Sequence, residues 1–224
     1  MTATDCTTRL FDQHPTAIAE LVLVLRRKGV RDRAVLSAIE RIPRRLFLPS
    51  ERHQVAYRDR PQPIECGQSI PAPSTVAIMT EALEVSEGHR VLHIGTGSGY
   101  QAAVLAELGA KVYTVDRYAT LVYLARQRFA ALRFESITSD VIDGLSGWEE
   151  RRPFDRILFS GAIDQVPSAV LEQLAPGGVI VAPVGSGRAV QKITRFDALQ
   201  NDLQSKAIAA ARFVSLSSDI AQVL

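Results

Sequence analysis

The segment that most constrains the fold is residues 91–100, whose sequence is VLHIGTGSGY. A run of apolar residues typical of a buried strand is followed at once by three closely spaced glycines and then by a helical pattern. Glycine permits positive φ angles and a close approach of the backbone to a ligand, and the first turn of a helix has free amide groups. In α/β folds such a turn lies outside the carboxyl ends of the strands, where ligands bind. The segment therefore predicts a ligand-binding loop at the end of a buried strand.

The spacing of the three glycines indicates which ligand the loop binds. A dinucleotide fingerprint would require glycine at position 100, but that position is Tyr100. The glycines are instead Gly95, Gly97 and Gly99, a G-x-G-x-G pattern that is typical of S-adenosylmethionine-dependent enzymes. We therefore predict that these three glycines form a loop that binds S-adenosylmethionine.

Two acidic residues at the ends of the following strands are candidate cofactor ligands. Asp116 ends the next predicted strand, 21 residues after Gly95, where a carboxylate can accept hydrogen bonds from both ribose hydroxyls. The alternative role for Asp116 is to cap the helix that begins near Tyr118. Asp140 ends the strand after that, and it is predicted to hold the amino group of adenine.

From Arg90 onward the chain alternates between strand and helix patterns. Strands are predicted at 91–95, 111–116, around 137, at 156–160 and at 179–184, and helices at 99–108, 118–132 and 169–174. This alternation is typical of a Rossmann-like, doubly wound, mostly parallel sheet with helices on both faces. Two further apolar runs, at 190–196 and 207–216, are predicted to add an antiparallel pair at the sheet edge. Together these strands predict the seven-stranded sheet of class I methyltransferases.

The first 85 residues lack this alternation and are predicted to form a helical N-terminal lobe. Helices are expected at 16–29, 31–41 and 74–84, whereas four prolines and a glycine between residues 58 and 73 predict a shaped loop. We place the helical lobe at 1–85 and the α/β core at 86–224, as one compact unit. Two arginines of the lobe, Arg44 and Arg45, are expected on a solvated face.

Composition narrows the class of protein. The 224 residues are 46% hydrophobic and carry a net charge of +2, which predicts one α/β domain and gives no indication of nucleic-acid or membrane binding. The longest apolar run near the start is residues 21–25, far short of the roughly 20 residues of a transmembrane span. We expect no secretory signal, no transmembrane segment and no metal site. The only cysteines, Cys6 and Cys66, predict no disulfide framework, so a reducing, cytoplasmic location is expected.

Several short motifs outside the glycine loop occur in a characteristic order. They are RIPRRLFLP at 41–49, GQSI at 67–70, MTEAL at 79–83, PFDRI at 153–157 and RFV at 212–214. In this order, and with GQSI about 25 residues ahead of the glycine loop, they resemble the protein-L-isoaspartate O-methyltransferase family over about residues 17–217.

The resemblance implies an enzyme that methylates the side-chain carboxylate of isoaspartyl residues in damaged proteins and peptides, with S-adenosylmethionine as the donor. It implies a catalytic role for Ser69 and substrate contacts for Gln68, Ile70 and Val214. The nucleophile is a carboxylate with an ordinary pKa of about 3.9, so it is ionised at pH 7 and needs no general base. In-line alignment within a dry pocket is expected to supply most of the rate.

The chain departs from the family pattern at positions expected near the reacting groups. His93 stands where the family has a carboxylate, usually Glu, that faces the cationic part of the cofactor. His93 is either protonated and repulsive, or neutral and hydrogen-bonded to a neighbouring backbone group. Pro71 replaces a serine given a catalytic or positioning role, Val141 replaces a glycine near the adenine, and Ser160 and Gly161 replace Thr and Ala. Two alternatives follow: a catalytically weak or silent subunit of a larger assembly, and a methyltransferase with a different substrate.

Overall fold

A computed structural model of the protein describes residues 15–186, 189–199 and 202–221. The strands in these residues are β1 (Gln62–Pro63), β2 (Ser69–Ile70), β3 (Arg90–Ile94), β4 (Lys111–Asp116), β5 (Ile137–Val141), β6 (Phe154–Phe159), β7 (Leu174–Val184), β8 (Gln191–Leu199) and β9 (Asp202–Ala211). The helices are α1 (Pro15–Arg27), α2 (Arg33–Arg41), α3 (Pro73–Leu83), α4 (Tyr100–Glu107), α5 (Ala119–Ala131) and α6 (Ser168–Leu171). Short 3-10 turns lie at Arg44–Phe47, Ser50–Val55, Glu65–Gly67, Gly144–Ser146 and Glu149–Arg151.

The centre of the fold is a seven-stranded sheet in the order β5-β4-β3-β6-β7-β8-β9. The five strands from β5 to β7 are parallel to their neighbours, and β8 and β9 continue the sheet as an antiparallel pair. The middle strands are largely apolar because helices cover both faces of a parallel sheet, and His93 and Thr114 are polar residues buried within them. The mostly parallel class I methyltransferase sheet and its antiparallel edge pair are therefore confirmed.

The last strand ends earlier than its apolar run predicted. A run at 207–216 was expected, whereas β9 pairs with β8 from Asp202 opposite Leu199 to Ala211 opposite Gln191. The register of this tight hairpin leaves no partner on β8 for later residues. The chain therefore leaves the sheet after Ala211 and returns toward its centre, where Ser215 forms an isolated bridge with Ala162.

The N-terminal helices are amphipathic, and their apolar sides face the core. Asp32 caps α2, because its side chain accepts hydrogen bonds from the amides of Ala34 and Val35. The apolar stripe of α2, including Val35 and Ile39, is buried, as the sequence predicted. These residues belong to one hydrophobic cluster that also contains buried residues of α1, α3, α4 and β3.

This shared cluster joins the two parts of the chain that the sequence distinguished. The division into 1–85 and 86–224 stays a prediction, and the first 14 residues of the lobe lie outside the described part. Within the described ranges, no helix is both long enough and apolar enough to cross a membrane.

Candidate active site

A cavity lies at the carboxyl ends of the parallel strands. One side, which we call the strand-end wall, comes from loops after β3, β4, β5 and β6 and includes Gly95, Thr96, Gly97, Ser98, Asp116, Arg117, Tyr118, Gly144, Leu145, Ser160 and Gly161. Further lining, which we call the loop wall, comes from two segments outside the seven-stranded sheet and includes Gln68, Ser69, Ile70, Pro71, Phe213, Val214, Ser215 and Leu216. The cavity thus brings the predicted cofactor loop and the predicted substrate residues together.

The glycine loop is fixed by the strand beside it. The amide of Gly95 donates to the carbonyl of Val115 over 2.8 Å, and the amide of Gly97 donates to Asp116 Oδ2 over 2.8 Å. Gly95 and Gly97 both have positive φ, at 94° and 52°, a conformation in which glycine is favoured. The loop therefore presents backbone, rather than side chains, to the cavity.

Gly99 has a different role from the other two glycines. It precedes the first residue of α4 with φ 91°, and it does not line the cavity. A Cβ atom at Gly99 would lie 2.8 Å from the ring of Phe129 on α5. Gly99 therefore allows the start of α4 to pack closely against α5, and this packing is the reason that the position needs glycine.

Asp116 supplies the carboxylate of the strand-end wall. Its Oδ1 accepts from the amide of Tyr118 over 3.1 Å, while its Oδ2 accepts from the amide of Gly97. Burial raises the pKa of Asp116, and the backbone hydrogen bonds from Gly97 and Tyr118 oppose that shift. These contacts hold the backbone but do not cap α5, because the N-cap residue of that helix is Tyr118 and it has no side-chain cap hydrogen bond. A carboxylate has about four lone-pair sites, so acceptor capacity remains on Asp116.

Asp140 is not brought to the cavity. It is exposed on β5 and forms an ion pair with Arg126 of α5, with 3.4 Å between Arg126 Nη2 and Asp140 Oδ1. The neighbouring Val141 does not line the cavity either. β5 ends at Val141. Of the segment that follows the strand, Gly144 and Leu145 line the cavity. This lining does not support the predicted contact of Asp140, or of Val141, with a bound ligand.

His93 is buried on β3 beneath the strand-end wall. Its Nδ1 lies 2.9 Å from Thr114 Oγ1, and its Nε2 lies 2.7 Å from Ser160 Oγ. Burial lowers the pKa of His93 to about 3, so the ring is neutral. The neutral alternative holds, but the partners of the ring are two hydroxyl groups rather than a backbone group. The imidazole does not line the cavity, whereas the hydroxyl-bearing Ser160 does.

The loop wall depends on a buried arginine. Arg44 is fully buried, where a solvated face was expected. Its Nε donates to the carbonyl of Ala56 over 3.0 Å, and its Nη2 donates to the carbonyl of Pro71 over 2.7 Å. Its guanidinium lies 4.9 Å from the ring centre of Tyr100. Burial lowers the pKa of Arg44 to about 10, and the nearby Tyr100 and Asp59 oppose that shift.

The substrate residues of the loop wall differ in exposure. Ser69 is exposed, Gln68 is half-buried and Ile70 is buried. Val214 is 50% exposed, and its segment is fixed by backbone hydrogen bonds from Ala162 to Val214 over 2.8 Å and from Leu216 to Ala162 over 2.9 Å. An apolar, partly exposed side chain and a free hydroxyl therefore stand on the same side of the cavity.

Sequence reasoning missed the contribution of Gly144, Leu145 and Leu216 to the cavity, whereas Ser160, which was expected near the reacting groups, does line it. The position of Ser160 at the end of β6 was a usable signal, because the carboxyl ends of parallel strands meet at one edge. No comparable signal placed Leu216, since it was assigned to the last strand. The burial of Arg44 likewise depends on contacts that only the folded chain creates.

The sheet, the glycine loop and the carboxylate at the end of β4 together define a class I S-adenosylmethionine-dependent methyltransferase fold. More narrowly, the chain belongs to the protein-L-isoaspartate(D-aspartate) O-methyltransferase family, whose model matches residues 16–221.

Individual relatives agree with this assignment. A protein-L-isoaspartate O-methyltransferase of Azorhizobium caulinodans is 47% identical over 92% of this chain and 95% of its own length. A protein-L-isoaspartate O-methyltransferase of Parvibaculum lavamentivorans is 44% identical over 91% of this chain and 92% of its own length. A solved protein-L-isoaspartate O-methyltransferase structure is similar with a TM-score of 0.80 at 26% identity, covering 91% of this chain and 67% of that one. A second solved structure, from Plasmodium falciparum, has a TM-score of 0.75 at 21% identity. It covers 88% of this chain and 97% of that one, and it agrees in fold.

Proposed function

We propose that the protein transfers a methyl group from S-adenosylmethionine to the carboxylate of isoaspartyl residues in damaged proteins. The observation that carries this proposal is a single cavity with the glycine loop and Asp116 in its strand-end wall and Gln68, Ser69 and Val214 in its loop wall. The names of the curated relatives support the same activity. No observation favours a different substrate over this one.

The strand-end wall has the groups that S-adenosylmethionine requires. Asp116 is buried beside the loop and keeps lone pairs for the two ribose hydroxyls. The positive-φ backbone at Gly95 and Gly97 leaves room for close contact with the ligand. We assign the adenine side to Gly144 and Leu145, which line the cavity after β5, in place of Asp140. When bound, the cofactor supplies an electrophilic methyl group on a sulfonium.

The loop wall holds and orients the substrate carboxylate. The hydroxyl of Ser69 is exposed to the cavity and can donate to one carboxylate oxygen, while the amide of Gln68 can donate to the peptide. Ile70 and Val214 supply apolar surface that excludes water from the path of the methyl group. Because the carboxylate is already ionised at pH 7, none of these residues has to remove a proton.

The two departures at His93 and Pro71 are compatible with activity. His93 is neutral and separated from the cavity by Ser160, so it places no positive charge beside the cofactor. Pro71 offers its carbonyl to Arg44, and this contact orients the segment that carries Ser69. These contacts support an active enzyme rather than a silent one.

A calorimetric titration with S-adenosylhomocysteine, followed by a methyl-transfer assay, tests the proposal. We expect the wild-type protein to bind the ligand and to methylate a peptide that contains isoaspartate. The same peptide with ordinary aspartate is the matched control, and it should not be methylated. Binding without transfer to either peptide would contradict the assigned substrate, and no binding at all would contradict the assigned cofactor.

We also propose that the protein acts in the cytoplasm, with isoaspartyl proteins as transient partners. The support for this location is the small number of cysteines in the chain. The alternative is a catalytically silent protein that is a stable subunit of a larger assembly. Size-exclusion chromatography of the protein purified at native levels tests this alternative.

A further inference from the structure

A chain of four hydrogen-bonding side chains connects two residues of the strand-end wall, the almost fully buried Thr96 and the half-buried Ser160. Thr96 Oγ1 lies 2.8 Å from Thr114 Oγ1, which lies 2.9 Å from His93 Nδ1. The other ring nitrogen of His93, Nε2, lies 2.7 Å from Ser160 Oγ. Thr96, Thr114 and His93 are buried, and Ser160 is half-buried on the strand-end wall.

Counting donors fixes the direction of these hydrogen bonds. A neutral imidazole has one N–H, and each hydroxyl has one hydrogen. If His93 carried its hydrogen on Nδ1, Thr114 would have to donate to Thr96. Thr96 would then keep a hydrogen with no acceptor, since among the described residues its hydroxyl has no partner other than Thr114. Thr96 is 2% exposed, and an unsatisfied buried donor costs about 1–3 kcal/mol.

The opposite direction satisfies every buried hydrogen. Thr96 donates to Thr114, Thr114 donates to His93 Nδ1, and His93 Nε2–H donates to Ser160 Oγ. The hydroxyl hydrogen of Ser160 is then directed away from the imidazole, toward the cavity that this residue lines. We infer that Ser160 is a hydrogen-bond donor held in place by His93, and that it binds a carboxylate oxygen of a ligand.

The chemistry of the ligands explains why a carboxylate is the acceptor. The sulfonium and ammonium groups of S-adenosylmethionine are positively charged and do not accept hydrogen bonds, whereas a carboxylate offers several lone pairs. Ser160 follows β6, which lies on the opposite side of β3 from β4 and Asp116, so it is remote from the ribose side. The carboxylate belongs either to the amino-acid part of the cofactor or to the isoaspartyl substrate. This inference rests on the proposed function, and it makes His93 a positioning residue.

The tautomer of His93 can be read directly from nitrogen NMR of protein labelled with 15N-histidine. The signal of His93 is assigned by its loss in His93→Gln, which distinguishes it from the other three histidines. We expect the proton on Nε2 and a bare Nδ1, with and without S-adenosylhomocysteine. A proton on Nδ1 would overturn the inference. This reading does not need catalysis or ligand binding, so it stands apart from the test of the proposed function.

Binding measurements identify the source of the carboxylate. Ser160→Ala removes the donor, and Ser160→Thr, which keeps a hydroxyl, is the matched control. The probes are S-adenosylmethionine and its decarboxylated form, which retains the sulfonium and the amine. If the cofactor carboxylate is the acceptor, Ser160→Ala weakens binding of S-adenosylmethionine about 10-fold or more and leaves the decarboxylated form unaffected.

If the substrate carboxylate is the acceptor, both cofactor affinities stay unchanged and the KM for the isoaspartyl peptide rises by a similar factor. Ser160→Thr should restore the wild-type value in either case. An alanine variant with wild-type affinities and an unchanged KM would refute the donor role, as would equal weakening of both cofactor forms.

Discussion

The two walls of the cavity are built in different ways. The strand-end wall is fixed by the ends of adjacent parallel strands and by backbone hydrogen bonds such as that from Gly95 to Val115. The loop wall lies outside this sheet: its Gln68–Pro71 segment has only the two-residue strands β1 and β2 and the hydrogen bond from Arg44 to Pro71, and its Val214 segment is fixed by hydrogen bonds with Ala162. The comparison teaches that the order of the strands places the cofactor residues, whereas contacts between distant parts of the chain, including a buried arginine, place the substrate residues.

The largest expected effect tests the packing beneath the strand-end wall. Gly99→Ala adds a Cβ that would lie 2.8 Å from the ring of Phe129, at a φ of 91°. Left-handed strain of about 1–2 kcal/mol and overpacking of about 1–3 kcal/mol should lower the free energy of unfolding by roughly 2–5 kcal/mol. Urea denaturation of the wild type and the variant measures this difference in the free energy of unfolding.

Gly29→Ala is the control for this variant. Gly29 has a φ of 98°, yet no atom lies within 4 Å of the added Cβ, so only the strain of about 1–2 kcal/mol applies. Equal losses in the two variants would show that the contact with Phe129 does not matter.

The second effect separates the two walls. Arg44→Met leaves the carbonyls of Ala56 and Pro71 without their donor. The loss should cost about 1–3 kcal/mol at the buried carbonyl of Ala56 and about 1 kcal/mol at the part-buried carbonyl of Pro71, or roughly 2–4 kcal/mol of unfolding free energy in all. The KM for the isoaspartyl peptide should rise because the loop wall loses its attachment, while the Kd for S-adenosylhomocysteine should stay the same. Chemical denaturation, steady-state kinetics and calorimetry give the three quantities.

Arg58→Met is the matched control for Arg44→Met, since Arg58 is exposed. It should leave both stability and kinetics within error of the wild type. If Arg44→Met raised the Kd for S-adenosylhomocysteine by as large a factor as the KM for the peptide, the two walls would not be independent.

The third effect concerns the cofactor side alone. Asp116→Ala removes the acceptor of the Gly97 amide and of the ribose hydroxyls. Because hydrogen bonds to a charged group are lost, the binding of S-adenosylhomocysteine should weaken by about 1.5–3 kcal/mol. The matched control is Asp140→Ala, whose exposed carboxylate pairs with Arg126 and accepts from the amide of Val141, so the Kd for S-adenosylhomocysteine should not change. An unchanged Kd for Asp116→Ala, measured by calorimetry, would mean that Asp116 only holds the backbone of the glycine loop.

The sequence predicted the strand-end wall better than the loop wall for a physical reason. Strand periodicity and the glycine spacing define Gly95, Gly97 and the end of β4 locally, and parallel strands must bring these points to one edge. Asp140 lies near the end of β5, as predicted, but a strand pattern does not say which residues after the strand line the cavity, so Gly144 and Leu145 were not predicted. The burial of Arg44 depends on carbonyls 12 and 27 residues away, which no local pattern contains.

The smallest expected effect is a pH dependence that belongs to the strand-end wall. His93 has a folded-state pKa of about 3, against about 6.5 for an unfolded histidine. Between these values the unfolded chain binds a proton that the folded chain does not, so stability falls as the pH drops from about 6.5 toward 3. The loss amounts to about 1.4 kcal/mol per pH unit, or about 2 kcal/mol between pH 7.5 and pH 5.

His93→Gln removes this titration while keeping a neutral hydrogen-bonding side chain. The difference in unfolding free energy between wild type and variant should therefore shift by about 2 kcal/mol, in favour of the variant, between pH 7.5 and pH 5. The other three histidines are present in both proteins and cancel in the difference. Urea denaturation at both pH values measures the shift. A difference that stays constant with pH would mean that the ring accepts a proton in the folded state, and the strand-end wall would then carry a positive charge beside its cofactor at low pH.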